Sequence, residues 1–137
     1  MTIITAVLQA CLWLWFLGCT ITWKIRGRIL VEGMGIRSPE FFMLCLYSIG
    51  IISFWCFPAP GKGILAGILM LWLCVQLRCH WYYTLFGASP LKLKGYNECF
   101  RDTIRIFPAS DTRIIPDLYH ILMHVMIIAN LVFCLIR

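Results

Sequence analysis

Residues 116–137 read PDLYHILMHVMIIANLVFCLIR, and this stretch decides the fold. Between Leu118 and Ile136 there is no Asp, Glu, Lys or Arg, yet His120 and His124 sit four residues apart. About 20 apolar residues cross the ~30 Å hydrocarbon layer of a bilayer as a helix. At ~100° per residue, His124 lies roughly 40° round from His120, with Asp117 at about +60° and Asn130 at about −80°. One half of this helix therefore carries nearly all of its polar groups. Leu118, Leu122, Val125, Ala129 and Val132 form the other half. Polar side chains at membrane depth are costly, so the polar half is expected to face the interior of a bundle.

Three other stretches have the same character. Spans are expected at about 3–23, 41–57, 63–86 and 118–136, each helical because lipid offers backbone amides no other partner. The composition agrees: 61% of the 137 residues are apolar and only 13% charged. Residues 1–137 are read as a single all-α integral membrane domain, an antiparallel bundle of four transmembrane helices. The N-terminal run has no basic n-region and is too long for a signal peptide, so it is read as a retained span. Ser38-Pro39-Glu40 is a helix start, with Ser as cap, Pro at the first position and Glu at the positive end of the dipole. Pro116-Asp117 opens the last span in the same style. The run Phe57-Pro58-Ala59-Pro60-Gly61-Lys62-Gly63 is expected to break the chain as a tight hairpin between spans two and three.

Net charge is +6, but the basic residues lie in connectors, which points to topology and anionic lipid and away from nucleic acid. Lys24, Arg26, Arg28 and Arg37 follow span one. Lys92, Lys94, Arg101, Arg105 and Arg113 follow span three, with Arg78 just inside it. Only Lys62 and Arg137 belong to the other side. The positive-inside rule places both long connectors in the cytoplasm or an organelle matrix, and both termini on the opposite side. Within the second connector, Phe100, Ile104 and Phe107 share one face and Glu98, Arg101, Asp102 and Arg105 the other. A short cytoplasmic interfacial amphipathic helix is expected at about 97–107, with Arg101 and Arg105 towards lipid headgroups. Arg78 is expected to snorkel to a phosphate.

Span three has its own polar stripe, Gln76, Cys79, His80 and Tyr83, at i, i+3, i+4 and i+7. All three histidines then fall near the inner boundary, on helices that could be neighbours. Gln76, His80, Tyr83, Asp117, His120 and His124 form the candidate ligand site. Its chemistry admits a haem b held by two imidazoles, a quinone or lipid headgroup held by hydrogen bonds, or a divalent metal on His80, His120 and His124. The alternative is helix-to-helix hydrogen bonding without a ligand. Three histidines are too few for a di-iron hydroxylase centre.

The eight cysteines include no C-x-x-C, and most read as apolar filler. Cys56 and Cys134 alone share the outer end and could pair in an oxidising compartment. Ala6-x-x-x-Ala10 and Gly63-x-x-x-Gly67 are small-xxx-small patterns that permit close helix approach. Trp13, Trp15 and Trp72, at mid-depth, belong to the core or to a contact with another subunit or lipid-like ligand.

The leading functional expectation is a small membrane subunit or anchor, self-associating or bound to other membrane subunits and to lipids. A haem b or quinone redox protein, or a lipid-substrate protein, is the alternative. In length and helix count the chain is similar to the membrane-associated glutathione transferases. That similarity implies a trimeric transferase acting on lipophilic substrates as a third reading. Span two lacks their arginine–asparagine–glutamate pattern, so no residue role is carried over.

Overall fold

The computed structural model describes residues 2–136. In chain order the elements are α1 (Thr2–Gly18), a hairpin of β1 (Trp23–Ile25) and β2 (Arg28–Val31), α2 (Pro39–Cys56) and α3 (Pro58–Gln76). A π-helical turn (Leu77–Trp81), α4 (Tyr82–Phe86), α5 (Pro90–Cys99) and α6 (Leu118–Ile136) follow. α3, the π turn and α4 form one continuous apolar rod, Pro58–Phe86, of 29 residues. This rod, α2 and α6 are long and apolar enough to cross a membrane; α1 is a shorter apolar helix of 17 residues.

The long helices close into a ring in which α1 packs on α2, α2 on α3, α3 on α6 and α6 back on α1. Each contributes a buried stripe to one core. Leu12 and Phe16 come from α1, Tyr47 and Phe54 from α2, Leu65, Leu69 and Trp72 from α3, and Met123, Ile127 and Leu131 from α6. Phe16 lies against both Tyr47 and Trp72, with ring centroids 5.7 and 6.3 Å apart. Trp15 stacks on Tyr119 at 5.0 Å, so both Trp15 and Trp72 belong to intramolecular packing. Midway along, Tyr47 donates to Asn130 Oδ1 at 2.9 Å. The Asn130 amide in turn donates to the carbonyls of Leu8 (3.1 Å) and Met126 (2.8 Å). That knot ties three helices and satisfies a polar group that lipid could not.

Helix boundaries follow local chemistry. The Ser38 side chain caps α2 by accepting from Phe41 N at 3.0 Å, with Pro39 at the first position. Asp117 plays the equivalent part for α6 and accepts from His120 N at 3.0 Å. The first helix ends at Gly18, five residues before the expected Trp23. Bonds from Cys19 N to Phe16 O, Thr20 N to Leu17 O and Ile21 N to Gly18 O tighten its last turn. The chain then enters the β hairpin, where the sequence predicts only a connector. Arg26 and Gly27 both take positive φ, +50° and +82°, as a two-residue hairpin turn requires.

The expected break at Phe57–Gly63 is largely helical instead. α3 starts at Pro58, whose missing N–H suits a first helical position, and Phe57 alone separates it from α2. Gly61 makes this possible, because a Cβ there would stand 2.0 Å from Ser53 O. Gly63 and Gly67 have nothing within 4 Å of that position and face outwards.

The interfacial helix expected at 97–107 is not formed there. α5 spans Pro90–Cys99, capped by Ser89, and the chain leaves the helix at Phe100. β-branched Thr103 and Ile104 favour extended backbone, and a backbone partner is waiting. Ile104 N donates to Ile29 O (2.9 Å) and Leu118 N to Ile104 O (2.8 Å), which joins the connector to β2 and to the start of α6. The hairpin, α5 and the 100–117 segment together make a cap over one end of the bundle. All eight cysteines are free thiols. Cys134 donates to Lys62 O rather than pairing with Cys56.

Gly61→Ala should therefore lower the unfolding midpoint in detergent, at a cost of about 1–3 kcal/mol for forcing α2 and α3 apart. Gly63→Ala should be neutral or gain about 0.5–1 kcal/mol, since only helix entropy changes. Equal midpoints for the two variants would refute the close approach at Gly61.

Candidate functional site

The cluster forms where the cap meets the bundle. On the long rod, Gln76 and His80 face inwards and are buried. Across from them, His120 and His124 occupy the first turns of α6, also buried. The His80 and His120 rings are in contact, with centroids 4.1 Å apart and planes at 34°. The His124 ring lies 6.2 Å from His80 and nearly perpendicular to it. The three histidines thus meet, as their placement in the sequence suggested.

Each Nδ1 has a defined partner. His120 Nδ1 is 2.5 Å from Asp117 Oδ1, in a pair that also holds the helix cap. His124 Nδ1 donates to the carbonyl of His120, one turn back on α6. A carbonyl only accepts, so the hydrogen is on Nδ1, and Nε2 of the neutral ring is an acceptor. His80 Nδ1 is 2.9 Å from the Tyr96 hydroxyl. Within the cluster, two buried atoms have no hydrogen-bond partner: His124 Nε2 and Gln76 Oε1. Beyond His120, a small cavity of about 40 Å³ is lined by Cys19, Glu32, Glu40, Asp117 and Tyr119. It is large enough for a water molecule.

The surroundings are aromatic. Phe100 meets His120 edge-on at 5.2 Å, Trp81 meets His124 at 5.9 Å, and Tyr119 meets His120 at 5.5 Å. The sequence reading missed Tyr96, Phe100 and Trp81. A signal for two of them exists: Ser89-Pro90 repeats the Ser38-Pro39 helix start, and Leu93, Tyr96 and Phe100 follow at helical spacing.

Tyr83, expected in the site, is not there. The π turn between Leu77 and Trp81 winds fewer degrees per residue than an α-helix, so the stripe drifts out of phase beyond it. Tyr83 accepts a hydrogen bond from Arg78 at 2.8 Å on the outer surface. The Arg78 guanidinium also lies 4.4 Å from the Tyr82 ring centroid. Cys79 is exposed as well. Arg101 and Arg105, expected at lipid headgroups, line a separate cleft of about 510 Å³ with Lys94, Asn97 and Glu98. Arg105 also donates to Phe100 O at 3.3 Å.

The geometry bears on the ligand. Among the described residues, no group of three or more His, Cys, Asp or Glu is placed to hold a metal ion. The cluster holds two buried acceptors without partners. No known family, no curated protein and no solved structure matches the chain.

Tyr96 lies on α5, outside the long apolar helices, and burial pushes its phenol well above the usual value near 10. The folded protein holds this proton where the unfolded chain releases it, so stability falls as pH rises beyond about 10, by ~1.4 kcal/mol per unit for each such phenol. Tyr96→Phe should cost about 1 kcal/mol at pH 8, through the lost bond to His80, and the gap to the wild type should shrink by pH 11. A gap that stays constant across that range in detergent unfolding curves would contradict the burial of this hydroxyl.

Proposed function

We propose that this chain is a four-span membrane subunit or anchor, with the capped end at the cytoplasmic or matrix face and both termini on the other side. Support for the fourth span comes from α1, which packs along α2 and α6 as one member of the ring. At ~1.5 Å per residue its 17 residues cover about 26 Å, close to the hydrocarbon thickness. Support for the orientation comes from the ten basic residues of the connectors and Arg78 set against Lys62 and Arg137. In this reading the histidine cluster is the clasp that fixes the cap to the bundle, and the basic cleft of Lys94, Arg101 and Arg105 receives anionic lipid headgroups.

One observation carries the subunit reading. Gly63 and Gly67 leave a shallow track on the outer face of α3, one turn apart, with open space where side chains would stand. Gly61 already serves the contact with α2, so this second pair has no use within one copy. In lipid such tracks favour helix-on-helix contact, because close backbone approach gains dispersion that acyl chains do not supply.

A second reading rests on a different observation. His124 Nε2 and Gln76 Oε1 are buried acceptors without donors. Trp81, edge-on to His124, also walls a groove of about 390 Å³ with Thr84, Phe107 and Ile115. A lipid or quinone headgroup with a hydroxyl or protonated oxygen would meet those acceptors.

Native mass measurement on the protein extracted with its lipids tests both. The wild type should run as an oligomer and Gly67→Leu as a monomer with unchanged helicity. A monomeric wild type would overturn the subunit reading. A bound lipid or quinone lost in His124→Leu would support the second reading, and a ligand-free wild type would remove it.

A further inference from the structure

The far half of the bundle has a site that the histidine cluster does not explain. A groove of about 630 Å³ runs between α1 and α2, walled by Trp13, Leu14, Ile51, Ile52 and Trp55, with Gln9 set into it. Its volume falls within the ~300–1,000 Å³ typical of small-molecule sites.

Its polar groups can be accounted for one by one. The Trp55 indole donates to Gln9 Oε1 at 2.8 Å. That bond fixes the amide orientation, since a flipped amide would set two donors against each other. The Trp13 indole donates to Ser48 Oγ at 2.9 Å, and Ser48 donates onward to Leu44 O at 2.7 Å. Both indole hydrogens and the serine hydrogen are therefore engaged, and the rings offer the groove apolar surface. Gln9 Nε2 is left over: the residue is 97% buried, and this donor has no partner. An unmet amide donor is costly in lipid, where no water competes for it.

We propose that this groove binds a lipophilic carbonyl compound of the isoprenoid-quinone kind, whose oxygen accepts from Gln9 Nε2 while its ring and chain lie along the tryptophans. The donor calls for an acceptor. A hydrocarbon tail supplies none. A hydroxyl would bring a further hydrogen, and Ser48 is engaged both as donor and as acceptor. Gln9 also lies about 10 Å along α1 from Thr2, deeper than the interfacial zone where glycerolipid esters reside. A carbonyl compound dissolved in the hydrocarbon reaches it more readily. The depth of Gln9 rests on the proposed fourth span, while the groove itself is separate from the outer face of α3 that carries the subunit reading.

The test uses the full chain in phosphatidylcholine nanodiscs, with decylubiquinone as probe and saturable quenching of tryptophan fluorescence as readout, referred to a Trp13→Phe/Trp55→Phe variant. Wild type should show a saturable component. Gln9→Leu should bind about tenfold more weakly, the equivalent of one lost hydrogen bond. Ala10→Phe should abolish binding by filling the groove without touching the amide, with helicity and melting midpoint checked for both. Competition identifies the source. Dioctanoylglycerol displacing the probe equally well would keep the carbonyl chemistry but assign it to a glycerolipid, whereas no displacement points to the quinone class. Pentadecane competing as well as the quinone, unchanged binding in both variants, or a second copy cross-linked across the groove would each overturn the proposal.

Discussion

The ring contact between His80 and His120 is the interaction on which this architecture turns. Both side chains belong to long apolar helices, and neither can be left unpaired where water is scarce. Bringing them together joins the rod Pro58–Phe86 to α6. Their outward nitrogens then recruit the rest. His120 engages Asp117 and so secures the start of α6, while His80 engages Tyr96 and so secures α5. The cap sits over the bundle end because this chain of polar partners runs into it. Its other anchors are backbone bonds, from Ile104 to β2 and from Ala88 N to Thr112 O at 2.9 Å.

The π turn fits the same logic. It falls on Leu77–Trp81, the five residues that include His80. Just beyond it, the Thr84 hydroxyl lies 3.1 Å from His80 O, one turn back along the rod. Thr84 also lies 2.7 Å from Ile114 O, so the same hydroxyl touches the connector that returns the chain to α6. The opposite end of the bundle is held differently. There Gly61 brings the α2–α3 turn to backbone contact. The two ends are thus fixed by polar pairing and by the absence of a side chain, with an apolar core and the Tyr47–Asn130 knot between them.

Much of this could be read from the sequence, and the parts that could not have separate physical causes. The apolar runs marked α2, the rod and α6. Ser38-Pro39 marked a helix start, because a cap is a local device. Helical spacing put His80, His120 and His124 on helices that could be neighbours, and the packing of the rod against α6 brings them together. The end of α1 at Gly18, the hairpin at Arg26-Gly27 and the extended path of Thr103–Ile104 did not follow. The extended path depends on pairing with Ile29, 75 residues away, whereas the short hairpin and the tightened end of α1 are local and carry no apolar period to mark them. Tyr83 was misplaced for a subtler reason: a stripe drawn at α-helical pitch cannot anticipate a π turn. Tyr96 is masked in the sequence because the amphipathic pattern runs over 97–107, whereas the helix spans Pro90–Cys99.

The central claim is the meeting of the imidazoles, and magic-angle-spinning NMR on protein labelled with 13C,15N-histidine in lipid bilayers addresses it directly. With three histidines in the chain, only three ring systems contribute. Cross-peaks should link His80 to His120 strongly, in keeping with a 4.1 Å ring separation, and His80 to His124 more weakly at 6.2 Å. Three isolated ring systems with no cross-peaks to His80 would contradict the account.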